Sequence, residues 1–323
     1  MIKRAQNRVA GSRLTLPVVM AYAIAVWLAS GLLIPAVPIT LASLLQGAWV
    51  QFVCFLLSAY LMAELNNNNA LIRIFSRLVS CSFLVLLCAA CFLFVSMRGA
   101  IVQLCIIAFY LLFFRTYQDK ESAAWPFYAF LCLGLASTAY VHILFYIPFF
   151  FIMMHFQLSS LSWRTFFASV IGLITPYWFL IPWFVFKYED GQFVKHLMAL
   201  ADFQPVHYFQ QIALPQLLIL VFVLLLAVTG TVHYLRNSHD DRIRVRQLYG
   251  FFIFMWLLTA VFLFLQPQHY DILLRILIIN TSPLIAHFIS LTHTRITNIA
   301  FYVISTVAVL LMLFNLWMPS LTF

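Results

Sequence analysis

Apolar runs of about 18 to 22 residues recur along the whole chain, interrupted by short polar segments, and none shows the two-residue alternation of a barrel strand. At a rise of about 1.5 Å per residue, one helix of that length matches a hydrocarbon core of about 30 Å. Lipid offers the backbone no hydrogen-bond partners, so runs of this kind predict helices. The candidate crossings are 15–36, 47–64, 78–96, 99–114, 125–140, 142–157, 165–186, 213–235, 248–265, 272–291 and 297–317. The expected fold class is all-α, a polytopic transmembrane helical bundle of about eleven crossings.

Composition agrees with this pattern. The chain is 65% hydrophobic and 8% charged with a mean hydropathy of +1.01, a balance foreign to soluble globular domains. A single membrane domain over 1–323 is expected, with seven crossings in 15–186, an outer amphipathic segment in 187–212 and four crossings in 213–323. In the outer segment Phe193, Leu197, Leu200 and Phe203 recur at helical spacing, which suits a short helix lying in the interface. The opening "MIKRAQNRVAGSR" is similar to the start of a signal peptide. The apolar run from Leu14 to Ile34 outlasts the usual signal core of about 7 to 15 residues, so a retained first crossing is expected.

Charge changes the picture by giving the crossings a direction. The formal net charge of +9 comes from Lys and Arg gathered in short loops, a topology signal rather than a nucleic-acid footprint. With the N-terminus cytoplasmic and two short crossings between Trp125 and His155, fourteen basic residues fall inside and only Arg98, Lys187, Lys195 and Arg275 outside. One long helix over that stretch worsens the split to eleven against seven. A tight outer turn near Tyr140 to His142, an N-terminus on the cytoplasmic side and a C-terminus on the outer side follow.

The polar residues within this frame are few. In "LMAELNNNNALIRIFSR", residues 61–77, one of Asn66 to Asn69 is expected to cap the third crossing, with Arg73 and Arg77 at the inner headgroups. Glu64, Asp119, Glu121, Asp240 and Asp241 map to the cytoplasm, and Glu189, Asp190, Asp202 and Asp271 to the outer face. The densest outer set is "QPQHYDILLRILI", residues 266–278. There Asp271 and Arg275, at i and i+4, share one helix face as an ion pair, or Arg275 meets a lipid phosphate. His142, His196 and His207 are placed where they could line an outer pocket. The nine histidines lack metal-ligand spacing, and no nucleotide-binding loop or nucleophile elbow occurs, so neither a metal nor a cofactor is expected. All six cysteines lie in apolar runs and read as small buried hydrophobes. The Cys88–Cys91 pair has CxxC spacing but no cation close by to activate a thiol.

The stretches "WPFYAFLCLGLASTAYVHILFYIPFFFIMMHF", "SWRTFFASVIGLITPYWFLIPWFVF" and "HYDILLRILIINTSPLIAHFI" resemble crossings of GT-C type membrane glycosyltransferases. In length and pattern, "NNNNALIRIFSR" included, the chain is also similar to uncharacterised integral membrane proteins of Bacteroidota. The GT-C resemblance implies sugar transfer from a polyprenyl-phosphate donor at the outer face, with Arg275 on the donor phosphate. The family's acid sits in the first outer loop, and here that loop, "AVPITLASLLQG", contains none. Asp271, Glu189 or Asp190 would then have to serve as the base, or the scaffold persists without the reaction.

The resulting expectation is a GT-C-like protein handling a lipid-linked glycan or polyprenyl phosphate. Its candidate catalytic residues are Asp271, Glu189 and Asp190, and its candidate binding residues Arg275, His269, Tyr270 and His142. The expected partners are the bilayer and a polyprenyl-phosphate-linked sugar, with no nucleic acid. The alternative is a non-catalytic scaffold or a transporter, for which Asn280, Thr281 and Ser282 before Pro283, and Thr175 before Pro176, are the mid-depth polar groups.

Overall fold

A computed structural model describes residues 4–33, 49–186, 194–196, 198–202 and 212–321, which are overwhelmingly helical and contain no strand. We number the helices α1 (Ala5–Gly11), α2 (Thr15–Leu33), α3 (Trp49–Asn69), α4 (Leu78–Ala89), α5 (Met97–Phe113), α6 (Ala124–Ala139), α7 (Ile147–Phe156), α8 (Trp163–Phe186), α9 (Leu214–Asn237), α10 (Ile243–Leu265), α11 (Tyr270–Leu291) and α12 (Arg295–Leu321). Among the described residues eight helical segments are long and apolar enough to cross a membrane, and Leu78–Ala89, Ala124–Ala139 and Val141–Phe156 are shorter apolar helices. The protein is a multi-pass helical membrane protein. The chain separates into two compact units, residues 1–100 with 207–323 and residues 101–206.

In the first unit α11 is the central element. Eighteen of its 22 residues are buried, whereas only about a quarter of α2 and of α12 is. A helix apolar on every face belongs inside a bundle, while a peripheral helix presents its apolar side to lipid. Helices α4, α9 and α10 pack around α11. The approach of α9 is close because position 230 is glycine: a Cβ there would lie 2.9 Å from Leu284. Helix α1 lies across the end of α11 and is tied there by Gln6, whose amide donates to the Ile289 carbonyl at 2.5 Å and the Thr292 hydroxyl at 2.6 Å.

The second unit is built on the α6–α8 pair. Gly134 faces the Leu173 carbonyl and the Pro176 ring, and Gly172 faces the Phe127 carbonyl, so two glycines let the backbones meet from both sides. After α6 the chain is extended at Tyr140 and continues as a 3-10 helix, Val141–Tyr146, into α7. The Phe130 and Phe151 rings stack at 5.2 Å, so the chain doubles back about this point, as expected for 125–157.

One local expectation is overturned. Asn66 to Asn69 do not cap the third crossing; they form the last turn of α3, and α4 starts eight residues after Ala70 with Arg77 at its N-cap. Buried Asn66 donates to the Ser76 carbonyl at 2.9 Å and Asn69 to the Leu65 carbonyl at 2.9 Å. Ala70 turns the chain out with φ 46° while Leu71 N–H reaches the Asn66 carbonyl, the hydrogen-bond pattern of a helix C-terminus. The asparagine side chains satisfy carbonyls here, where an N-cap would satisfy amides.

Candidate functional site

Two polar constellations lie in the first unit, near opposite ends of α11. The first is the Asp271–Arg275 pair, placed together because i and i+4 share a helix face. Arg275 is 2% exposed, its Nε stands 3.5 Å from the Asp271 carboxylate, and its Nη2 donates to the Leu93 carbonyl in the 3-10 turn Cys91–Val95. The Asp271 side chain keeps 38% of its surface exposed. Position 99 has to be glycine for this arrangement, since a Cβ there would come within 2.6 Å of Arg275 Nε and 2.7 Å of Asp271 Oδ2. Tyr270 donates its hydroxyl to the Gln216 carbonyl at 2.5 Å and lays its ring 6.2 Å from Phe92. His269 is half-buried in the preceding 3-10 turn, Pro267–His269. His269, Tyr270, Asp271 and Arg275 are thus neighbours in one stretch of chain.

The other predicted positions fall elsewhere. His142 belongs to the second unit, in the 3-10 helix after Tyr140, beside His196 and Asp202 and bonded to the Ala199 backbone. Next to it His196 Nε2 lies 3.0 Å from the Ser137 carbonyl, and the Ser137 and Tyr177 hydroxyls are 2.7 Å apart. Glu189, Asp190, His207, the loop 36–47, and Phe193, Leu197 and Phe203 of the outer segment lie outside the described residues.

The second constellation joins residues that the sequence left unconnected. Arg73, from the segment between α3 and α4, meets Asp240 at 3.4 Å and Asp241 at 2.8 Å in the turn between α9 and α10. Asp241 in turn lies 3.1 Å from Nε2 of His287 on α11, and His287 Nδ1 lies 3.4 Å from Nδ1 of His233 on α9. The side chains of Asp241 and His287 are fully buried. An ionised carboxylate only accepts, so His287 Nε2–H is the donor to Asp241 and its Nδ1 faces His233. The rings of Tyr234 and Tyr249 pack on His287 at 5.3 and 5.1 Å. Close by, Arg244 donates to Asn69 at 3.0 Å, which brings the asparagine run into the same polar network.

No family model, curated protein or solved structure matches this chain. The sites therefore stand on their own chemistry. The Asp271–Arg275 pair can exchange one anion for another at a buried guanidinium. The Arg73–Asp241–His287–His233 string can hold and orient a buried imidazole between a carboxylate and a second imidazole. A signal for the string did exist in the sequence, since His233, Asp241 and His287 are polar groups beside or inside apolar runs, but nothing local joins them.

Proposed function

We propose that the protein handles a polyprenyl phosphate or lipid-linked glycan at the outer face of a bacterial inner membrane. It would do so on a GT-C-like scaffold of about eleven crossings, with N-terminus inside and C-terminus outside. The observation behind this reading is the Arg275 guanidinium: it is nearly sealed within an apolar helix, and it pairs at 3.5 Å with the Asp271 carboxylate, which is itself partly exposed. A cation at membrane depth is costly without an anion, and a phosphate offers a planar guanidinium two oxygens. As Asp271 rotates outward, the phosphate takes its place beside Gly99, with His269 and Tyr270 at the rim. Asp271, already engaged with Arg275, serves better as a displaceable counter-ion than as a base, which favours binding of the lipid over sugar transfer.

The test is binding of a polyprenyl phosphate to the protein in nanodiscs. Asp271→Asn removes the competing anion and is expected to tighten binding, while Arg275→Gln abolishes it. Equal affinity in all three proteins would reduce the pair to a packing pin between α11 and the turn at Leu93.

A second reading, a transporter, is favoured by the Asp241–His287–His233 string, because ionisable groups buried among membrane helices line ion and substrate paths. Asn280, Thr281 and Ser282 are buried in mid-α11 ahead of Pro283, and among the described residues the Thr281 hydroxyl finds no partner. Proton flux into proteoliposomes, present in the wild type and lost in Asp241→Asn, would support this reading; a tight membrane in both would remove it.

A further inference from the structure

A cleft in the first unit runs between α1, α2, α4 and α12 and is floored by α9 and α11. It encloses about 610 Å³ when the solvent at its open mouth is counted. Its walls are almost wholly apolar, with Val9, Val85, Ile289 and Ile304 among the lining residues and Thr15 beside Val9. Of its three hydroxyl residues, Thr15, Ser82 and Ser305, Thr15 is bonded to the Val9 carbonyl at 2.6 Å and Ser305 to the Phe301 carbonyl at 2.9 Å, so these two do not ask for a polar ligand. The space suits a hydrocarbon chain.

What stands beside Val9 and Thr15 identifies the rest of the ligand. Val9 and Thr15 are flanked by Arg8 and Arg13, both exposed, and Arg295 opens α12 at the same end of the unit. Helices α1, α2 and α12 carry no carboxylate, since the sequence has no Asp or Glu before Glu64 and none after Asp271, and Asp240 and Asp241 in the turn after α9 are engaged by Arg73 and His287. Among the described residues every ion pair belongs to Arg73, His287 or Arg275. Arg4, the remaining cation of α1, is turned onto the His293 carbonyl. Helix α1 is held rigidly by Gln6, whose backbone N–H also meets Asn298 at 3.2 Å, so the exposed arginines are presented from a fixed platform. An apolar cleft bordered by exposed arginines that have no ion pair among the described residues is complementary to a lipid with an anionic head and a hydrocarbon tail.

We propose that this cleft binds one anionic phospholipid of the leaflet on the α1 side, one acyl chain lying along Val85 and the phosphate meeting Arg8 and Arg13. The site is separate from Arg275, which lies fourteen residues from Ile289, about 21 Å along α11. It stands whether or not the polyprenyl-phosphate reading does.

The experiment counts lipids retained by the full-length protein in native mass spectrometry, after exposure to phosphatidylglycerol or phosphatidylcholine of identical chains, or to a polyprenyl phosphate. One phosphatidylglycerol is expected to remain bound in the wild type and in Arg275→Gln. Arg8→Gln with Arg13→Gln should weaken retention about 5-fold per arginine, on the order of 30-fold together. Val85→Phe, which fills the cleft without touching a charge, should lower retention as well. Arg8 and Arg13 are exposed and Val85 is half-buried, so none of the three substitutions replaces a fully buried side chain. Equal retention of the two phospholipids, retention unchanged in both variants, or exclusive retention of the polyprenyl phosphate would each overturn the assignment.

Discussion

At the residue scale, the buried carboxylate of Asp241 and the exposed one of Asp240 make a natural comparison. Both meet Arg73, but Asp241 also accepts from His287 where no water reaches, while the Asp240 side chain is 69% exposed. Asp241→Asn weakens the tie to Arg73 and sets an amide against an imidazole, and is expected to cost about 1–3 kcal/mol. Asp240→Asn is expected to stay within about 0.5 kcal/mol, as exposed ion pairs do. Denaturant unfolding of both variants in detergent, side by side, measures the difference. Comparable losses would mean that the Asp241–His287 contact adds nothing to stability. The Asp271–Arg275 pair belongs to another category of residue effect: its partners are local in sequence, so the i to i+4 spacing alone foretold it, whereas the tie to Leu93 and the need for glycine at 99 came from packing.

At the element scale, glycine decides how near helices approach. A methyl at 172 would press on the Phe127 carbonyl, and one at 134 on the Leu173 carbonyl, both of them backbone atoms that cannot swing aside. Gly172→Ala is therefore expected to destabilise by about 1–3 kcal/mol despite the better helix propensity of alanine. Gly11→Ala meets nothing within 4 Å and serves as the control. Thermal melts of the two proteins decide the matter, and a Gly172→Ala variant as stable as the control would mean that α6 and α8 do not rely on this contact. The asparagine run teaches a related lesson. Asparagine suits either end of a helix, and local pattern alone favoured the start of α4. The outcome was set by Ser76, which lies where the Asn66 amide reaches it.

At the scale of the whole molecule, the separation of inside from outside rests on the distribution of arginine and lysine. Eight described helical segments long and apolar enough to cross a membrane fall at expected places, and the chain doubles back after Tyr140 between two shorter apolar helices. A direct measurement of sidedness uses Asp240→Cys and Gln268→Cys in a background lacking the native cysteines. With an impermeant maleimide on intact cells, label is expected at 268 and not at 240. Label at 240 would invert the threading and move Arg275 to the cytoplasmic face.

What the sequence by itself determined is the chain's solvent and secondary structure. Long apolar runs must bury their backbone hydrogen bonds in helices, and basic loops bias which way those helices point; both are local properties, summed over some twenty residues. The tertiary structure alone decided which helix became the core and which distant polar groups met. Helices α2, α11 and α12 are all strongly apolar, yet only α11 is enclosed, because enclosure depends on the neighbours that pack against a helix. His287 meets residues 46 and 54 positions away in the chain, a coincidence set by how α9, α10 and α11 pack and invisible to any local pattern.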